Sequence, residues 1–181
     1  MTWAGRLGAT LVVAVHVALL LRGWSEPARF LSLPDSQEYL AIAANLRQGH
    51  GFSQSPQAPY EPDLMRTPVY PAVLAALPGA ATFAVPAPTR ADEPSNRGLI
   101  RAAAALNLAL GLLTVLGTTW LVKNRHGAAA AAGTVLLLAI DLTTLTYHGL
   151  VLTETVFCAL LVAAVAVLTR DGGRSWRRAA L

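Results

Sequence analysis

Charge, cysteine and nucleotide-binding loops are all scarce in this sequence, and each scarcity removes a class of protein. Only 13% of the 181 residues are charged while 54% are hydrophobic, which leaves a greasy soluble domain or a membrane protein. The one cysteine, Cys158, permits no intrachain disulfide, and in its apolar surroundings it reads as a small hydrophobe. The chain has no GxGxxG, GxxxxGK[ST] or GxSxG loop, so soluble nucleotide handling is unsupported. Nor is there a basic stripe interleaved with aromatics, so the pI near 9.8 is no argument for nucleic acid.

Long hydrophobic runs are what the chain does have. Crossing ~30 Å of hydrocarbon takes about 20 mostly apolar residues at ~1.5 Å each. Residues 102–122, 127–146 and 150–169 meet that length. A fourth run, residues 7–21, is shorter, but Trp3 and Trp24 flank it as interfacial residues do. It also has the shape of a signal peptide; the lack of a small-x-small cleavage site in "LLLRGWSEPARF" favours an uncleaved first helix.

Charge then sets the orientation. Arg6, Lys123, Arg125, Arg170, Arg174, Arg177 and Arg178 face one acid, Asp171, near the span ends, whereas residues 22–101 hold seven Arg and seven acids. The expected fold is therefore an all-α polytopic membrane protein. It has four spans, both termini cytoplasmic, and a long extracytoplasmic first loop over residues 22–101. Residues 1–181 form one membrane domain in this reading.

Inside that loop, Tyr39, Ile42, Ala43 and Leu46 follow helical spacing and "GHG" supplies a stop, predicting an amphipathic helix from Ser36 to about Gln48 at the membrane surface. "FSQSPQAPYEPD" is a proline-broken loop. "RTPVYPAVLAAL" starts with prolines and turns apolar, which predicts a second short helix dipping toward the bilayer. "PGAATFAVPAPTRADEPSNRG" reads as a linker.

Asp35 and Glu38 stand three apart at the first helix, the spacing of a capping box, and a capping carboxylate is also one held rigidly and kept ionised. Cap and catalyst are compatible roles. Asp141 and Glu154 flank the turn "YHG" at matching depths, roughly 8 Å into the expected spans, with Asn107 at a similar level. Acids at that depth either snorkel to the interface or line a wet cavity. Arg66 suits a bidentate contact to phosphate or carboxylate, its alternative being an ion pair with Glu61 or Asp63. His16 is mid-span and expected to face another helix, while His50 and His148 match no zinc spacing.

The ordered set "PDSQEYLAIAANLRQGHGF", "RTPVYP", "LNLALGLLTVLGTTWLV" and "LVLTETVFCALL" resembles the N-terminal part of the GT-C membrane glycosyltransferases. Protein O-mannosyltransferases and lipid A aminoarabinose transferases are the nearest kinds. The resemblance implies a transferase that takes sugar from a polyprenyl-phosphate donor to a lipid, glycan or protein acceptor at the cell membrane. It makes Asp35 the catalytic carboxylate and Arg66 the contact to donor phosphate, with Glu38, Tyr39, Tyr70, Asp141 and Glu154 as further substrate-binding side chains. It names no cofactor as certain and leaves room for a divalent metal. Members of the family continue through more spans, so the chain is expected to be an incomplete module, with a partner polypeptide as one source of the missing spans. Two rivals stand beside it: a non-enzymatic binding or assembly subunit with the same fold, and a small transporter built around Asp141 and Glu154.

Overall fold

The computed structural model describes residues 3–84 and 94–170; part of the proline-rich linker and the basic C-terminal tail lie outside the described residues. Six α-helices make up the described chain, with two short 3-10 turns and no strand among them. They are α1 (Trp3–Ser25), α2 (Pro34–Gln48), α3 (Val69–Ala75), α4 (Pro94–Ile140), α5 (Leu142–His148) and α6 (Thr153–Arg170), and the 3-10 turns are Pro27–Leu31 and Ala80–Thr82. Two helices are long and apolar enough to cross a bilayer, through Gly5–Ser25 of α1 and Asn96–Ile140 of α4. The apolar run of α6, Thr153–Thr169, is shorter.

Helix α4 is two rods rather than one. Gly127 leaves helical geometry at φ 86° and ψ −179°, a region open in practice only to glycine. Val115 and Val135, on opposite sides of it, meet Val12 and Ala139 in one buried cluster, so the chain doubles back there against α1. The reversal follows Lys123, Asn124 and Arg125, which interrupt the apolar run. On its first rod, α4 also receives α6, where Val162 lies over Gly117.

A pair of histidines ties this bundle together. His16 Nδ1 lies 2.8 Å from the Val12 carbonyl, which can only accept, so its Nε2 accepts from His148 Nδ1–H at 3.0 Å. Both rings are buried, and His148 packs so closely on Gly111 that any side chain there would overlap it. His16 thus faces another helix, as its mid-span position predicts.

The segment between α1 and α4 folds onto one end of the bundle. Pro34 opens α2 at the first helical position, and Gly49 ends it in the left-handed region at φ 83°, with its own N–H on Leu46 and that of His50 on Asn45. Instead of lying with one apolar face down, α2 is enclosed: Tyr39 to Asn45 are all buried. Leu40, Ala43 and Ala44 join Phe30, Tyr70, Leu74 and Phe83 from the loop, Leu99 to Leu108 from α4, and Leu150 to Leu152, in a single core. Phe30 reaches that core across Gly23, where no other residue leaves room, and its carbonyl accepts the Val151 N–H at 3.1 Å.

The expected span over residues 127–146 is interrupted at Asp141. Its backbone is extended (φ −71°, ψ 97°) and its carboxylate accepts the Thr143 N–H at 3.1 Å and the Thr144 hydroxyl, which caps α5. An acid that offers the chain a local acceptor ends one helix and starts the next.

Candidate functional site

The helix start that holds Asp35 and Glu38 differs from a capping box. Leu33 occupies the N-cap, no side chain bonds the free N–H groups, and Asp35 lies inside the first turn. Its charge still sits favourably at the positive end of the helix dipole. The carboxylate itself turns outward to Arg66.

Arg66 arrives through a loop built for the purpose. Asn45, buried near the end of α2, donates to the carbonyls of Ser53 (2.7 Å) and Ser55 (3.0 Å), which fixes the outgoing chain. Asp63 receives the N–H groups of Met65 (2.9 Å) and Arg66 (2.8 Å) on one oxygen and Gln54 Nε2 (2.7 Å) on the other. Asp63 therefore shapes the turn and leaves the Arg66 guanidinium for other partners.

Those partners are Glu38 and Asp35. Arg66 Nε donates to Glu38 Oε2 at 2.6 Å, and Nη2 reaches Asp35 Oδ1 at 2.8 Å and Glu38 Oε2 at 2.5 Å. The Arg66 side chain is 21% exposed, and its guanidinium carbon lies 5.5 Å from the centre of the Tyr39 ring. Burial opposes its charge, but the hydrogen bonds and charges of Glu38 and Asp35 outweigh burial and raise Arg66 above its ordinary pKa. The predicted alternative, an ion pair with Glu61 or Asp63, does not form.

Below this cluster runs a polar column. Tyr39 meets Tyr70 edge to face at 5.2 Å, the Tyr70 hydroxyl donates to Asn107 Oδ1 at 2.9 Å, and Asn107 Nδ2 donates to the carbonyls of Leu150 (2.6 Å) and Leu152 (2.9 Å). Burial raises the pKa of both tyrosines, and the Glu154 carboxylate, in the first turn of α6, is near enough to raise both further. Beside Asp35, the Ser36 hydroxyl is buried with no hydrogen-bond partner among the described residues.

The chain matches no protein-family model, no curated protein and no solved structure. Geometry alone therefore defines the site. Asp35, Glu38, Tyr39, Arg66 and Tyr70 meet, Glu154 stands close by, and Asp141 lies outside the cluster, engaged with Thr143 and Thr144. His50 stacks on Tyr60 with ring centres 4.1 Å apart, and His148 is taken by His16. Among the described residues no three His, Cys, Asp or Glu side chains form a group that could hold a metal.

Asn107 is the residue whose importance the sequence conceals. Its level beside Glu154 is readable from spacing, but its three partners come from positions 70, 150 and 152 and obey no local pattern.

What the arrangement offers chemically is a carboxylate with one tethered and one open oxygen. Asp35 Oδ1 is held by Arg66, while Oδ2 carries no hydrogen bond among the described residues, and the side chain is 44% exposed. Arg66 Nη1 is likewise without a partner among the described residues. A base and a cationic edge thus stand side by side on an open face.

Proposed function

We propose that this chain is the N-terminal membrane part of a GT-C type glycosyltransferase, one that takes sugar from a polyprenyl-phosphate donor. The observation that carries the reading is the Arg66 bridge to Asp35 and Glu38. It joins two motifs, "PDSQEY" and "RTPVYP", that lie about thirty residues apart and bear the family resemblance. In this reading α1, the two rods of α4, and α6 are four spans with both termini in the cytoplasm, and the loop carrying the site is extracytoplasmic.

Asp35 acts as general base. Its open Oδ2 accepts the proton of the acceptor hydroxyl as that oxygen attacks the anomeric carbon, and the polyprenyl phosphate leaves with inversion. Arg66 holds Asp35 in place through Nη2 and offers Nη1 to the leaving phosphate. Asp35, Glu38 and Arg66 sum to one negative charge, which favours the positive charge that builds at an anomeric carbon during transfer. Glu154 stands at the near wall of the sugar site, the buried Tyr39 and Tyr70 rings back the cluster from the core side, and Asp141 has no part in it.

The test is transfer of labelled sugar from polyprenyl-phosphate donors in membranes holding this chain, alone and with a partner polypeptide that supplies further spans. Transfer should occur and should fall at least a hundredfold in Asp35→Asn, a change that keeps the shape of the side chain and removes its basicity. Undiminished transfer in that variant ends the catalytic role of Asp35. An inserted protein with no transfer in either setting ends the reading.

A further inference from the structure

We infer that the groove between α1 and the two rods of α4, at the end of the bundle away from the candidate site, binds an anionic phospholipid, with one acyl chain in the groove and the phosphate on Lys123. The inference rests on the membrane reading of α1 and α4 and is independent of the transferase reading.

Small side chains make the groove. Helix α1 and the second rod of α4 touch at Gly8, where Val135 leaves no room for any other residue. Around that contact stand Gly5 and Ala9 on α1 and Ala128, Ala131 and Ala132 on the rod, too short to fill the space between the helices. A cavity of about 270 Å³ remains, walled on its third side by Leu116 and Trp120 of the first rod, with Lys123 beside them. Val135 also belongs to the buried cluster with Val12 and Val115, which closes the groove toward the middle of the bundle.

The lining decides the kind of occupant. Apart from Thr119 and Lys123 its side chains are hydrocarbon or ring, and the Thr119 hydroxyl is spent on the Val115 carbonyl at 2.8 Å. That leaves the Lys123 ammonium, on an exposed residue, as the charged group that orients a ligand. Pockets for compact polar molecules run to about 300–1,000 Å³ with several placed polar groups. A smaller apolar groove with one cation at its end suits a hydrocarbon chain that carries an anionic head.

Charge decides which head. Helices α1 and α4 contain no Asp or Glu. Arg6, next to Gly5, and Arg125, two residues after Lys123, are exposed at the same end, and none of the three cations has an ion-pair partner among the described residues. A zwitterionic headgroup brings its own cation to that cluster, whereas an anionic one is drawn there. Trp120, half exposed and one turn before Lys123, supplies the indole that favours the level of the headgroups. Asn107, beneath the candidate site, lies 16 residues before Lys123, about 24 Å along the axis at ~1.5 Å per residue, so the two sites occupy opposite ends of the bundle.

Trp120 reports on the site directly. Trp3, Trp24 and Trp176 are replaced by Phe, and the full chain is placed in vesicles of phosphatidylcholine and phosphatidylglycerol in which one lipid at a time carries brominated acyl chains. Bromine quenches an indole that it touches, so quenching at equal lipid fractions measures preference. Phosphatidylglycerol should be preferred about fivefold. Lys123→Gln should bring the ratio to parity, Arg6→Gln should keep most of it, and Ala128→Leu or Ala9→Leu, which narrow the groove at constant charge, should lower it. Equal quenching by the two lipids, or a preference that survives Lys123→Gln, overturns the site. A preference that falls as far in Arg6→Gln as in Lys123→Gln, or that both groove-filling variants leave intact, also overturns it, because surface charge then holds the headgroup with no chain in the groove. Quenching by neither lipid takes Trp120 out of the bilayer and removes the membrane reading together with the site.

Discussion

At the scale of single residues, Tyr70 shows how burial writes itself into stability. Its hydroxyl is enclosed, which raises its pKa above the ordinary tyrosine value, and Asn107 opposes that rise only in part. A proton held more tightly in the folded state than in the unfolded one gives stability that is complete below the unfolded pKa of about 10 and declines as pH rises beyond it. Thermal unfolding followed by circular dichroism should therefore show a midpoint that falls between about pH 10 and 11. Tyr70→Phe should have a shallower fall and a lower midpoint at neutral pH, because Asn107 Oδ1 loses its donor at a cost of about 1–2 kcal/mol. Equal slopes in the two proteins would mean that Tyr70 is not the group responsible. Asp35 was legible as a helix-start acid because its type and position say so; that its partner would be Arg66 was not, since 31 residues separate them. Nearby Glu61 and Asp63 looked equally suitable, and only the use of Asp63 by two backbone N–H groups removes it from contention.

At the scale of elements, two glycines in α4 separate two kinds of constraint. Nothing stands within 4 Å of a side chain built on Gly127, so Gly127→Ala should suffer from its backbone alone, by about 1–3 kcal/mol. Gly111 is ordinary helix, but a methyl group there would meet the His148 ring at 2.4 Å. Gly111→Ala should lose a similar amount through overpacking, about 1–3 kcal/mol. The two losses differ in how they couple: Gly111→Ala should cost little in a His148→Ala background, whereas Gly127→Ala should cost as much there as in the parent, as a double-mutant comparison of unfolding midpoints would show. Helices α2 and α3 were readable because proline starts and a glycine stop punctuate them. The break at Asp141 was not, since a long apolar run suppresses attention to one acid that can cap a new helix. The enclosure of α2 was also hidden, because periodicity reports a helix and one wet face but not what later folds over that face.

At the scale of the whole molecule, loop and bundle share one core, and Asn107 is the polar group at its centre. Asn107→Ala would strand the Tyr70 hydroxyl and the carbonyls of Leu150 and Leu152, for a loss of about 2–4 kcal/mol. Limited proteolysis should then cut the loop around residues 54–62 at a clearly greater rate, while the α1–α4 contacts, centred on Val12 and Val135, persist. Uniform loosening of both regions would show that loop and bundle do not separate as units. The all-helical class and the apolar character of the chain were plain from composition; the way the loop seats on the bundle was not, because it depends on contacts between distant residues.

Asn107 also imposes an order on assembly. Tyr70 leaves the ribosome 37 residues before Asn107, and Leu150 follows 43 residues after it. At about 5–20 residues per second, the loop waits roughly 4–16 s after its own synthesis before its last partner exists. During that interval Asp35, Glu38 and Arg66 already have one another, but the tyrosine column beneath them has no floor. The ion-paired cluster is thus a local event and its support a delayed one, so the chain completes its candidate site only when the start of α6 has been made.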